Sequence, residues 1–77
     1  MAEQRGALPL NLLGSGGRGT VCALHGQEDT RRFLENLGFV PGADVSVINE
    51  IGGNVIVNVK DTRVAISRSM ANKILVQ

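Results

Sequence analysis

Apolar and polar residues alternate through most of the second half of the chain. Valine occupies positions 55, 57 and 59, with isoleucine, asparagine and lysine at positions 56, 58 and 60. The same alternation occurs over 44–48, 62–67 and 74–76, and Val21 lies within an earlier strand-like stretch, Arg18–His25. A period of two is typical of a strand that buries one face. The sequence therefore predicts about five short strands.

A short helix is predicted just before the first of the valine-rich strands. Phe33, Leu34 and Leu37 recur at helical spacing, and the residues between them are polar or charged. This spacing predicts that the three side chains share the buried face of the helix. Asp29 or Thr30 is predicted to cap the first turn, because a side-chain oxygen there would accept a hydrogen bond from a free backbone N–H.

Gly38 and the pair Pro41-Gly42 predict how this helix ends and how the chain enters the next strand. Gly38 follows the last apolar helical position, where a left-handed backbone costs least without a Cβ. Phe39 would then fold back onto Leu34, the contact that accompanies a Schellman ending. Proline followed by glycine suits the two central positions of a type II turn.

The turns between the later strands complete the predicted fold. A hairpin turn is predicted over Asn49–Asn54, which contains two glycines, and a tighter turn at Asp61-Thr62, which contains none. Ser67 is predicted to cap a single helical turn before the last strand. These elements indicate a mainly β fold, a small SH3-like β-barrel, whose closure would remove exposed strand edges. Residues 8–77 would form this domain, and residues 1–7 a flexible tail.

Length and charge limit the classes of function. The chain has 77 residues, which indicates one small domain. It lacks a run of roughly 20 apolar residues and a signal-peptide pattern, so we expect no membrane insertion and a cytoplasmic location. Its net charge is +1, and it contains no Trp or Tyr. Because a nucleic-acid surface needs excess positive charge, and often stacking aromatic rings, nucleic-acid binding is not expected.

Residues that could carry chemistry are few. GSGGRG at 14–19 matches a dinucleotide loop, but a strand pattern rather than a helix follows it, so no cofactor is expected. Cys22 and His25 are the only soft metal ligands, and three residues apart on a strand they would point to opposite faces. We therefore expect at most weak metal binding by the monomer, while a site shared between two chains stays open. No spacing of residues indicates catalysis, so an enzyme is not expected.

A protein without catalytic groups would act by contact. The basic residues after Val55 outnumber the single acid, which indicates either a solvated face or a dock for an acidic partner. We expect Ile51, on a glycine-flanked hairpin, to anchor a partner, with Arg63, Arg68 and Lys73 supplying charge. Ile51 could instead fold over the end of the barrel. The second candidate surface is an apolar groove beside Val40-Pro41.

The pattern LxxLGFxPGxxVxVI resembles the signature of the FeoA family. It is carried here by Leu34, Leu37, Gly38, Phe39, Pro41, Gly42, Val45, Val47 and Ile48. The resemblance extends from about Leu10 to Val76 and implies an SH3-like barrel. It also implies an accessory or regulatory protein of bacterial ferrous iron uptake, whose partner is the cytosolic part of a FeoB-type membrane iron transporter. Asn54 and Asp61-Thr62 depart from the proline and glycine common at these turns, which affects loop contacts rather than the fold.

Two alternatives stay open at this point. A similar SH3-like domain is appended to metal-dependent transcriptional repressors, so the chain could modulate such a repressor as a partner. A small RNA-binding barrel is the other alternative, although charge and aromatic content disfavour it. The oligomeric state is expected to be a monomer or a weak dimer.

Overall fold

Six strands and two α-helices make up residues 7–77, the part of the chain that the structure, a computed structural model, describes. The strands are β1 (Leu8–Pro9), β2 (Arg18–Leu24), β3 (Asp44–Ile51), β4 (Asn54–Val59), β5 (Thr62–Ser67) and β6 (Ile74–Val76). The helices are α1 (Glu28–Leu37) and α2 (Arg68–Ala71), with a 3₁₀ helix at Leu10–Leu12. Of the tail predicted at residues 1–7, all but Ala7 lies outside the described residues.

The strands form an antiparallel sheet in the order β1-β6-β2-β3-β4-β5. The start of β2, Arg18–Thr20, pairs with β3, and the rest of β2 pairs with β6, with an irregularity in that pairing between Val21 and Ala23. One strand thereby joins two halves of the sheet. The fold is the SH3-like barrel that the sequence predicted. Two details differ from the prediction. The sixth strand is β1, whose two residues are too few to show alternation, and within residues 7–77 no pairing of β1 with β5 closes the sheet.

Strand β4, which lies between β3 and β5, contributes three valines to the hydrophobic core. Val55, Val57 and Val59 are at most 1% exposed, which confirms that the three valines share the buried face. Leu34 from α1 and the following Phe39 lie in the same cluster and are fully buried. Burying a side chain of this size stabilises the fold by about 1.5–3 kcal/mol. The three valines, Leu34 and Phe39 therefore supply a large part of the hydrophobic stabilisation of the domain.

The joint between α1 and β3 has the predicted geometry. Gly38 has a φ of 114°, and its N–H donates to the Glu35 carbonyl at 3.0 Å. The Phe39 N–H donates to the Leu34 carbonyl at 3.1 Å. These two bonds are those of a Schellman ending, and they bring Phe39 back toward the core. The type II turn is also confirmed, since the Ala43 N–H donates to the Val40 carbonyl at 2.9 Å across a left-handed Gly42.

The start and the apolar face of α1 differ from the prediction. The N-cap is Gln27, without a side-chain hydrogen bond, so the cap predicted at Asp29 or Thr30 is wrong. Glu28 and Asp29 instead lie in the first turn, where their charge favours the positive end of the helix dipole. Phe33 is 48% exposed rather than buried. A helix turns by about 100° per residue, and this short helix buries only the strip centred on Leu34.

Both hairpin turns in the second half contain two residues. Gly52-Gly53 joins β3 to β4, and Lys60-Asp61 joins β4 to β5, with Val59 paired to Thr62. The second turn therefore lies one residue earlier than the predicted Asp61-Thr62. All four turn residues have positive φ, as a type I′ turn requires. The cap predicted at Ser67 is confirmed, because its Oγ accepts a hydrogen bond from the Met70 N–H at 3.2 Å.

A one-residue bulge interrupts the pairing of β3 with β4. Val47 pairs with Val57 and Asn49 with Ile56, so Ile48 is the extra residue on β3. An extra residue shifts the alternation of side chains by one position. After the bulge the side chains of β3 are therefore in the opposite phase, and residues 48–51 are all exposed.

Candidate docking surface

The bulge explains why Ile51 lies outside the barrel. In the first half of β3 the odd-numbered residues Val45 and Val47 are buried. Continued alternation would bury Ile51 as well, but after the bulge Glu50 pairs with Val55 and Ile51 pairs with Asn54. Ile51 is 61% exposed. The structure therefore leaves it at the tip of the β3–β4 hairpin rather than folded over the end of the barrel.

The hairpin tip is bonded to the start of α2. Arg68 Nη2 donates to Glu50 Oε1 at 2.8 Å, and the Arg68 backbone N–H donates to the Gly53 carbonyl at 3.1 Å. The Arg68 side chain is 61% exposed, so the ion pair itself adds only about 0–1 kcal/mol. Its greater consequence is geometric, because both bonds hold the glycine turn beside α2. Arg68 is thus bonded to the hairpin that carries Ile51, but Glu50 offsets its charge.

The other two predicted docking residues lie elsewhere. Arg63 pairs with Asn58, at the end of β5 away from the Ile51 tip, four residues or roughly 13 Å from Ser67. The carbonyl of Lys73 accepts a hydrogen bond from the His25 N–H at 2.8 Å. The structure therefore places Arg68 at the hairpin that carries Ile51, while Arg63 and Lys73 belong to separate parts of the surface.

The soft metal ligands also lie in different surroundings. The Cys22 thiol donates to the Leu75 carbonyl of β6 at 3.4 Å and is partly buried. His25 follows the end of β2 and is exposed. Within residues 7–77, no three side chains from His, Cys, Asp and Glu are grouped to hold a metal ion. The predicted weak metal binding at Cys22 and His25 stays a prediction.

A polar groove crosses the outside of β2, β3 and β4, and no sequence pattern predicted it. Its lining includes Arg18 and Lys60, but also Asp44 and Asp61, so positive and negative groups alternate along it. Thr20 Oγ1 donates to Asp44 Oδ1 at 3.3 Å. These residues come from β2, β3 and the turn after β4, and only the pairing of the strands brings them together. The mixed charge does not favour one class of ligand.

Three other exposed apolar side chains were not predicted from the sequence. Leu12 is 66% exposed on the 3₁₀ helix, Phe33 is 48% exposed on α1, and Ile48 is 36% exposed at the bulge. The bulge and the narrow buried strip of α1 have no local signal in the sequence. Among residues 7–77, neither α-helix reaches the length and apolar content that crossing a bilayer requires.

Known proteins resemble this chain in sequence and fold. The family model of the FeoA domain matches residues 8–77. A crystal structure of the iron uptake regulatory protein FeoA is 30% identical, covers 95% of this chain and 97% of its own, and superposes with a TM-score of 0.86. FeoA from Stenotrophomonas maltophilia, in a complex with zinc, is 29% identical, with 95% and 91% of the two chains covered and a TM-score of 0.69. That protein is described as an SH3 domain protein and a candidate activating factor of bacterial ferrous iron transport.

The same fold occurs in a larger protein. A manganese-dependent transcriptional repressor superposes with a TM-score of 0.88 at 19% identity, over 96% of this chain and 42% of the repressor. At that identity the likeness concerns the fold alone. The search of curated proteins found no match. The FeoA model extends over nearly the whole chain, and the chain therefore belongs to the FeoA domain family.

Proposed function

We propose that this protein is an accessory protein of bacterial ferrous iron uptake that acts by contact with the cytosolic part of a FeoB-type membrane iron transporter. Family membership and the FeoA structures support the role in iron uptake. The proposed contact is supported by one observation: the apolar side chain of Ile51 is 61% exposed at a hairpin tip. Apolar residues on loops positioned by a rigid scaffold are typical anchors of protein interfaces.

Three features make the Ile51 tip suitable for docking. The Glu50–Arg68 ion pair and the bond from Arg68 to Gly53 hold the tip beside α2, so little order has to be gained on binding. Nothing lies within 4 Å of the positions that a Cβ on Gly52 or Gly53 would take, so a partner surface can approach the turn closely. The excess of basic residues in the second half would attract an acidic partner to the molecule, although Lys73 lies apart from the tip.

The test is the binding kinetics of the full chain with the purified cytosolic part of the transporter. Ile51→Ser should raise the dissociation rate about tenfold, because an apolar anchor is lost from the centre of the contact. Phe33→Ser is the control, since Phe33 is 48% exposed on α1, which ends beside Val59 and Lys60 at the other end of β4 from Ile51. It should leave both rates unchanged.

Charge is tested in the same experiment. Replacing Arg68 and Lys73 by glutamate should slow association, and binding of the unmodified chain should weaken as salt rises. Unchanged rates for both this variant and Ile51→Ser, with both folded, would show that the tip is the wrong surface. The groove beside Val40-Pro41 would then be the better candidate.

A further inference from the structure

The outer edge of β5 has no strand beside it among residues 7–77. β5 is the last strand in the sheet order, and all six of its residues, Thr62–Ser67, pair with β4 on the other side. An edge of this kind presents backbone groups to which another chain can pair. Many such edges are only solvated. What the β5 edge could bind depends on which of its backbone groups point outward and on which side chains lie along it.

The turn before β5 determines which backbone groups face outward. In a two-residue hairpin the residues that flank the turn, here Val59 and Thr62, exchange both hydrogen bonds, and every second pair along the strands repeats this arrangement. Val64 and Ile66 therefore bond to β4. Arg63 and Ala65 direct their N–H and C=O groups away from β4. Both are exposed, and neither backbone bonds elsewhere within residues 7–77.

We propose that this edge binds an extended acidic segment of the transporter's cytosolic part as an added antiparallel or parallel strand, an inference that rests on the proposed function. Four outward backbone groups, two each from Arg63 and Ala65, would bond to the added strand. Pairing of this kind supplies affinity through the main chain and specificity through alternate side chains. The contact would extend the docking surface from the Ile51 tip along β5.

The side chains along the edge specify the chemistry of that segment. Arg63 is exposed and makes no ion pair with another residue of 7–77, and Lys60 precedes β5 in the turn. Asp61 is the single acid after residue 54. An acidic side chain beside Arg63 would therefore be favoured on the outer face.

The opposite face of the added strand would meet the barrel. Val64 is half-buried and packs against the core from the last strand of the sheet. An apolar side chain on the inner face of the added strand would cover it and remove its remaining surface from water. The segment should therefore alternate acidic and apolar residues, which separates it from a uniformly acidic tail.

Proline at position 65 tests the edge directly. The Ala65 N–H faces the free edge and is not used by β4, and proline is tolerated on edge strands at such positions. Ala65→Pro should weaken binding of the full chain to the transporter's cytosolic part about tenfold, because it removes a donor and leaves a partner carbonyl unpaired. Ala65→Ser keeps the N–H and is the matched control. It should bind within about twofold of the unmodified chain.

Amide hydrogen exchange gives a second measurement that needs no substitution. When the ¹⁵N-labelled chain binds the transporter's cytosolic part, the amides of Arg63 and Ala65 should exchange about tenfold more slowly, as groups that gain a hydrogen bond do. If Ala65→Pro unfolds the domain, which the melting curve would show, this exchange experiment decides alone.

The outcomes separate the two proposals. No binding of the unmodified chain to the transporter overturns the proposed function and this inference with it. Normal binding by Ala65→Pro, or binding without slower exchange at Arg63 and Ala65, overturns only the added strand. Slower exchange that depends on the concentration of this chain and not on the transporter would show that a second copy occupies the edge, which also overturns the inference.

Discussion

The two hairpin turns of the second half share one backbone geometry but differ in residue type. The β3–β4 turn uses Gly52 and Gly53, with φ values of 56° and 85°. The β4–β5 turn uses Lys60 and Asp61, with φ values of 52° and 62°. Residues with a Cβ reach the left-handed region only near +50° to +70° and at a cost of about 1–2 kcal/mol each. The lysine and aspartate keep to that narrow range, whereas Gly53 does not.

The contacts around the two turns explain the difference. Lys60 Cδ lies 3.6 Å from the position that a Cβ on Gly38 would occupy, so its aliphatic stem covers the end of α1. Thr62 Oγ1 also donates to the Lys60 carbonyl at 3.4 Å. No such neighbours lie within 4 Å of the Cβ positions of Gly52 and Gly53. Local packing thus holds the lysine turn, whereas the glycine turn is open to a partner.

The largest loss of stability is expected at a left-handed position whose φ lies beyond the range that a residue with a side chain tolerates. Gly38 has a φ of 114° and ends α1. Gly38→Val should lower the free energy of unfolding by more than about 1 kcal/mol, since a β-branched residue is strained there. For a domain of this size the melting temperature would fall by roughly 4–8 °C. An unchanged melting temperature would refute the account of the helix ending.

A smaller gain in stability is expected if glycine is introduced into the Lys60-Asp61 turn, as in the Gly52-Gly53 turn. The double variant Lys60→Asn, Asp61→Gly replaces two costly left-handed residues by the pair that type I′ turns favour. It should raise the free energy of unfolding by up to about 1 kcal/mol, measured by urea denaturation. Loss of stability would mean that the Lys60 stem over Gly38 contributes more than the backbone strain costs.

The smallest effect is expected at Gly52, whose φ of 56° a side chain can adopt. Gly52→Asn should change the free energy of unfolding by less than about 0.5 kcal/mol, because asparagine tolerates the left-handed region. Gly53→Asn should cost more, since φ there is 85°. Thermal melts of both variants side by side check the comparison, and an equal loss at the two positions would contradict it.

Most features set by neighbouring residues were predictable from the sequence, with the N-cap of α1 as an exception, whereas features set by distant pairing were not. The Schellman ending at Gly38, the turn at Pro41-Gly42 and the cap at Ser67 each follow from short-range chemistry. The bulge at Ile48 and the true position of the Lys60-Asp61 turn depend on how β4 pairs with its neighbours. Neither feature can be read from the residues near it in the sequence.

The same distinction applies to the candidate site. Ile51 was identifiable as an apolar residue beside glycines, but its exposure depends on the bulge three positions earlier. Arg63 and Arg68 are five positions apart in the sequence, but Arg63 lies near the start of β5, whereas Arg68 follows the end of β5 as the first residue of α2. The free edge of β5 is a property of the strand order, which no single segment encodes.

The pairing of β1 with β6 brings the beginning and the end of the described chain together. Leu8 lies opposite Val76, and the Cα atoms of such partners are about 5 Å apart. A connection of about two or three residues would span that gap. The order of the segments could then be rearranged, with the chain joined there and opened at Gly52-Gly53. The sheet would keep every pairing, so for this fold the adjacency of strands is more fundamental than the point at which the polypeptide starts.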